Sequence, residues 1–204
     1  MLTTPLLRGF VLGLAIAAPV GPIGLLCIGR TLNEGRVHGF VTGLGAATAD
    51  AIYGAVAAFG LTSLAEVLVG YQIPIRILGG VFLVYLGIRT ALARPRPAMQ
   101  TGPSSSLPAA YASTFFLTLT NPVTILSFAA VYAGLGVGAA GWSVSSSLAI
   151  VAGVFVGSSS WWFLLSAAVS LLRDRIELVA LVWINRVAGA LLLAFGAAAL
   201  ISAL

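Results

Sequence analysis

A helix needs about 20 consecutive, mostly apolar residues to cross a bilayer, and this chain contains six such stretches. They lie near Leu6–Ile28, Gly39–Leu61, Ile73–Leu92, Ala109–Ala133, Ser147–Leu171 and Leu178–Leu204. With 60% hydrophobic and 7% charged residues, a 204-residue chain cannot hide its apolar surface in a water-soluble core. Its solvent is a bilayer. Lipid gives backbone N–H and C=O groups no partners, so the spans are helices and not open sheet. The fold class expected is an all-α polytopic membrane protein of six transmembrane helices, forming a single domain.

The third and fourth spans are joined by Ala93–Pro108, a linker rich in Pro, Ser and Gly. It divides the chain into 1–92 and 109–204, three spans on each side. All ten basic residues are Arg, and their placement gives the orientation. Arg30 and Arg36 follow the first span, Arg89, Arg94 and Arg96 the third, and Arg173 and Arg175 the fifth, while Arg8 and Arg76 lie on the other side. The Arg-rich side is then cytoplasmic and both termini lie outside. This also accounts for the net charge of +5 without nucleic acid as a partner. Cys27 is the sole cysteine, which excludes an intrachain disulfide and any CxxC redox or zinc motif. The N-terminal apolar run is too long, and too rich in proline, for a cleavable signal.

The two halves resemble each other. At an offset of 110, Gly43 meets Gly153, Thr48 meets Ser158, Tyr53 meets Phe163, Arg76 meets Arg186, Gly79 meets Gly189 and Tyr85 meets Phe195. At an offset of 103, Pro19-Val20 meets Pro122-Val123. Three spans per repeat is an odd number, so the second copy enters the membrane upside down. Inverted-topology repeats are a transporter signature, because two similar halves can exchange roles.

Three mid-span features carry the chemistry. Pro19, Gly21 and Pro22 lie within four positions of the first span. The prolines remove backbone donors and clash with the preceding turn, and the glycine loosens the chain, so a discontinuous helix is expected. Asn121-Pro122 disrupts the fourth span at the corresponding place, after Thr118 and Thr120. Paired interruptions of this kind point to a midplane binding site. The third feature is Asp50, the one acid deep within a span. A carboxylate at that depth costs about 2.5–3.5 kcal/mol on insertion scales. It can load and release a proton, or remain charged beside an ammonium group. Tyr53 follows on the same helix face. The repeat counterpart of Asp50 is Ser160, so the acid is not duplicated and the site is asymmetric. The candidate substrate-binding residues are therefore Pro19, Gly21, Pro22, Asp50, Tyr53, Asn121, Pro122 and Ser160, with Asp50 also the proton-coupling group.

Trp161 and Trp162 either wall a cavity or face lipid and neighbouring helices. Trp142 and Trp183 read as interface anchors. Arg76 and Arg186 read as snorkelling side chains at helix starts. The runs Gly9-x-x-x-Gly13, Gly39-x-x-x-Gly43 and Gly153-x-x-x-Gly157 predict close helix contacts, within or between subunits.

At these residues the sequence resembles the LysE/RhtB-type amino-acid exporter family over essentially the whole chain. The resemblance rests on Pro19-Val20-Gly21-Pro22, Arg30 with Gly35, the Gly43, Asp50 and Tyr53 run, Gly79-Gly80 with Tyr85-Leu86-Gly87, and Asn121-Pro122. Many members have Pro-Gly-Pro in the first span, where Val20 stands before Gly21 here, and many follow Asn-Pro with Lys, where Val123 stands here. The resemblance implies export of an amino acid or close derivative through the bacterial cytoplasmic membrane, driven by proton entry. It also implies that Gly21, Pro22, Asp50, Asn121 and Pro122 form the functional core. No enzymatic activity and no cofactor are expected, and homo-oligomer formation is left open. Two other readings remain at this stage. A metal-ion exporter of a related branch needs several His, Cys, Asp or Glu ligands, and only Asp50 and Cys27 are within reach. A non-transporting membrane subunit would hold Asp50 in a dry core.

Overall fold

The computed structural model describes residues 3–19, 21–59, 71–92, 106–121, 124, 128, 143–173, 178–201 and 203. Among these, regular structure is entirely helical: α1 Thr3–Ala17, α2 Pro22–Glu34, α3 Arg36–Ala58, α4 Gln72–Leu92, α5 Leu107–Leu119, α6 Val144–Arg173 and α7 Leu178–Ile201. Three of them, α3, α6 and α7, are long and apolar enough to cross a membrane alone, and α1 with α2 is long and apolar enough only when the bent pair is taken together, as a broken span or a re-entrant loop. Ile77–Leu92 of α4 and Leu107–Leu119 of α5 are shorter apolar helices. Most of the linker, residues 93–105, and much of the expected fourth span lie outside the described residues.

The first expected span is two helices, and the sequence gives the reason. Pro22 opens α2, where its missing N–H is no loss and its fixed φ suits a helix start. Gly21 precedes it in extended conformation, and the axes of α1 and α2 differ by 80°. At the other end, Gly35 alone separates α2 from α3. Its φ of 97° lies where a side chain is strained, and its N–H closes the helix on the Thr31 carbonyl at 3.0 Å. Because so short a turn suffices, α3 begins at Arg36, ahead of the expected Gly39. Likewise α5 begins at Leu107 because Ser106 caps it, its hydroxyl accepting from the Ala109 N–H at 3.4 Å with Pro108 in the first turn.

Small residues set the packing. Gly9 and Gly13 of α1 face Gly153 and Gly157 of α6 so closely that a methyl group at any of the four would meet the partner's backbone. Two of the three glycine runs noted in the sequence are therefore each other's partners within one chain, whereas Gly39 and Gly43 make room for Thr31 and Trp162. A second seam joins α4 to α7, with Gly80 against the Gly196 carbonyl and Gly87 against the Gly189 carbonyl. Helix α3 packs on both α5 and α6, and α2 reaches α3, α6 and α7. Leu78, Val81, Ile88, Leu148, Leu164, Val179, Leu191 and other large apolar side chains are exposed on the outside of the bundle, as lipid-facing surfaces require. Trp183 is exposed near the start of α7, with the Arg186 guanidinium 5.5 Å from its ring centre.

Candidate functional site

A cavity of about 430 Å³ lies at the break between α1 and α2, and every described helix contributes to its wall. Ala17, Pro19, Gly21 and Pro22 bring the break itself, and Ile23 and Gly24 the first turn of α2. Asp50 comes from α3, Leu83 from α4, Thr118 from α5 with Asn121 and Thr124 beyond it, Trp162 from α6, and Phe195 from α7. Its size falls within the ~300–1,000 Å³ usual for small-molecule sites.

Asp50 is 3% exposed. One carboxylate oxygen accepts a hydrogen bond from the Ser158 hydroxyl at 2.7 Å, and that hydroxyl accepts from the Trp162 indole N–H at 3.1 Å. Ser158 and Trp162 lie one helical turn apart on the face of α6 that meets α3. Gly43 admits the tryptophan, since a methyl group there would strike its side chain. The chain Trp162–Ser158–Asp50 thus fixes the carboxylate from behind. Its second oxygen has no hydrogen bond from the described residues. At the break, Pro22 has no N–H and Gly21 has no side chain with which to cap the first turn of α2.

Tyr53 is placed differently. Its hydroxyl donates to the carbonyl of Leu119, the last residue of α5, and its ring packs 5.6 Å from that of Phe128. It satisfies an orphan carbonyl where α5 stops, so it shapes the wall without lining it. Ser160 does not meet Asp50. Its hydroxyl donates to the Val156 carbonyl at 2.7 Å, and Ser158 supplies the contact. Two positions along a helix is about 200° around it, which puts the repeat counterpart on another face. Pro19, Gly21, Pro22, Asp50 and Asn121 are brought to one cavity, whereas Pro122 lies outside the described residues.

A second polar cluster was not foreseen as a site. Arg30, read from the sequence as a connection arginine, sits within α2 and turns its guanidinium into the bundle. One terminal nitrogen donates to Thr42 Oγ1 at 3.0 Å, the Ala110 carbonyl at 2.9 Å and Thr114 Oγ1 at 3.2 Å, and the other to Ser113 Oγ at 2.8 Å. It thereby ties α2 and α3 to α5. One turn on, Asn33 donates to Asn185 of α7 at 3.0 Å and to the Gly29 carbonyl at 2.7 Å. Thr42, which accepts from Arg30, is eight residues from Asp50 on α3, or about 12 Å along the axis.

The family model described as LysE type translocator matches residues 14–203. The chain belongs to the LysE type translocator family. It is accordingly a multi-pass membrane transporter, in keeping with its apolar helices. It is also 31% identical over 190 residues to YcgF of Bacillus subtilis (strain 168), a protein whose name describes amino acid efflux; the match covers 91% of this chain and 90% of that one. No solved structure matches this translocator.

Proposed function

We propose that this translocator exports an amino acid through the cytoplasmic membrane of a bacterium, as a six-span secondary transporter of two inverted three-span repeats. The observation that carries the proposal is the cavity at the α1–α2 break, with Asp50 the one ionisable side chain among its described lining residues. The name of YcgF supports an amino acid as cargo over a metal ion. Helix pairing supports the repeat. A two-fold relation between the halves would exchange the α1–α6 pair with the α3–α5 pair, and would map α3–α6 and α4–α7 onto themselves; all four pairs are in contact.

In this mechanism the substrate ammonium group meets Asp50, and the substrate carboxylate meets the first turn of α2, where the helix dipole and open N–H groups favour an anion. The Asp50 carboxylate binds either the ammonium group or a proton. A proton arriving from outside displaces the substrate outward, and the protonated site returns to the cytoplasmic side to release it. With the Arg-rich side cytoplasmic and both termini outside, the Arg30 and Asn33 ties close the inner side and part when the site loads from the cytoplasm. Thr42, Ser113 and Thr114 each donate to a carbonyl of their own helix, so they keep a partner when Arg30 leaves.

Liposomes containing the purified protein and loaded with mixed amino acids provide the test. Efflux of an amino acid that speeds up when the outside is acidified, and that a protonophore abolishes, is the expected result. No amino acid leaving faster than from protein-free liposomes would end the proposal.

A further inference from the structure

Charge is scarce around the cavity, and what surrounds Asp50 constrains the rest of the cargo. Thr118, Asn121 and Thr124 are the neutral polar lining residues, and Ile16, Ile23, Leu83, Trp162 and Phe195 supply apolar walls. Residues 122, 123 and 125–127, which flank the lining positions of the fourth span in sequence, are Pro, Val, Ile, Leu and Ser, none of them ionisable.

From this wall we infer that the cargo is a zwitterionic α-amino acid whose side chain is uncharged and predominantly apolar, of the leucine, isoleucine or methionine kind. The inference rests on the amino-acid reading above and narrows it. Asp50 is buried, is held on one oxygen by Ser158, and its other oxygen has no donor among the described residues. It can neutralise one cationic group, and the α-ammonium is the group every amino acid brings. A lysine or arginine side chain would then carry a second cation into a wall that has no second acid among its described residues. A glutamate or aspartate side chain would carry a second anion to a wall that has no cation among its described residues. Either charge would be left unpaired away from water, which is costly. A leucine-sized side chain instead exchanges water for contact with Leu83, Trp162 and Phe195, which is favourable in proportion to the apolar area buried.

Counterflow in proteoliposomes tests this directly. The wild-type protein is reconstituted, the lumen is loaded with unlabelled leucine, and uptake of trace labelled leucine is measured against external competitors. Isoleucine and methionine are expected to compete as well as leucine does, and lysine, arginine, glutamate and serine about tenfold or more weakly. Competition by lysine, glutamate or serine equal to that by isoleucine would overturn the inference while leaving an amino-acid exporter in place. Absence of counterflow with leucine, accompanied by counterflow with a charged amino acid, would do the same. Absence of counterflow with any amino acid would overturn the function proposed above as well.

Discussion

The two ends of α2 are both polar, and they use polarity in opposite ways. At its C-terminal end Arg30 spends its hydrogen bonds on four oxygens of α3 and α5, and Asn33 pairs with Asn185. At its N-terminal end Asp50, the one ionisable side chain among the described lining residues of the cavity, has a single hydroxyl donor among the described residues, and the first turn of α2 has no side-chain cap. A polar group whose partners are supplied by the protein contributes to holding helices together. One whose partners are incompletely supplied, beside a cavity of suitable volume, is waiting for something to complete it. The difference separates a structural tie from the proposed binding site at the two ends of one thirteen-residue helix.

Substitutions that separate stability from transport probe this contrast. The largest effect is expected at the cavity. Asp50→Asn keeps the shape and can still accept from Ser158, so the protein should remain folded in detergent, yet efflux should fall by about a hundredfold, since a buried charge pair loses one partner. Loss of folded protein together with loss of efflux would make Asp50 part of the scaffold and erase the distinction. Arg30→Ala should show the reverse emphasis, costing about 2–4 kcal/mol of stability, because several charge-assisted hydrogen bonds between helices disappear. Thermal unfolding in detergent reads this out, and an unchanged midpoint would remove the tie from the account. Ser158→Ala should slow efflux by about three- to tenfold and lower stability by about 1–3 kcal/mol, since the carboxylate loses its orienting donor and the buried Trp162 N–H its acceptor. Asn185→Ala should cost the least, about 1 kcal/mol or slightly more, again in stability and not in the competition profile.

Much of this contrast was legible in the sequence, and the parts that were not share a cause. Pro19, Gly21 and Pro22 announced the break because proline chemistry is local and needs no partner to act. Asp50 stood out because a carboxylate in an apolar run is expensive wherever it points. Residues whose meaning depends on a partner were harder. Ser160 is the repeat counterpart of Asp50 by offset, but contact follows helical phase, which brings Ser158 to the carboxylate; the i, i+4 spacing of Ser158 and Trp162 is the signal for it in the sequence. Arg30 was counted toward orientation by its place along the chain, whereas its side chain reaches back into the bundle. The hydroxyls of Thr42, Ser113 and Thr114 in otherwise apolar spans were the trace of that reach. The glycine runs foretold close contacts, but only the fold matched Gly9 and Gly13 with Gly153 and Gly157.

The sharing of one carboxylate between cargo and proton is most directly tested by counting protons against substrate. Liposomes loaded with leucine and a luminal pH dye, with protein in the membrane and acid outside, should acidify in step with leucine leaving, and Asp50→Asn liposomes should show no leucine-dependent acidification. Leucine leaving wild-type liposomes with no proton entering, or Asp50→Asn liposomes acidifying at the wild-type rate, would contradict it.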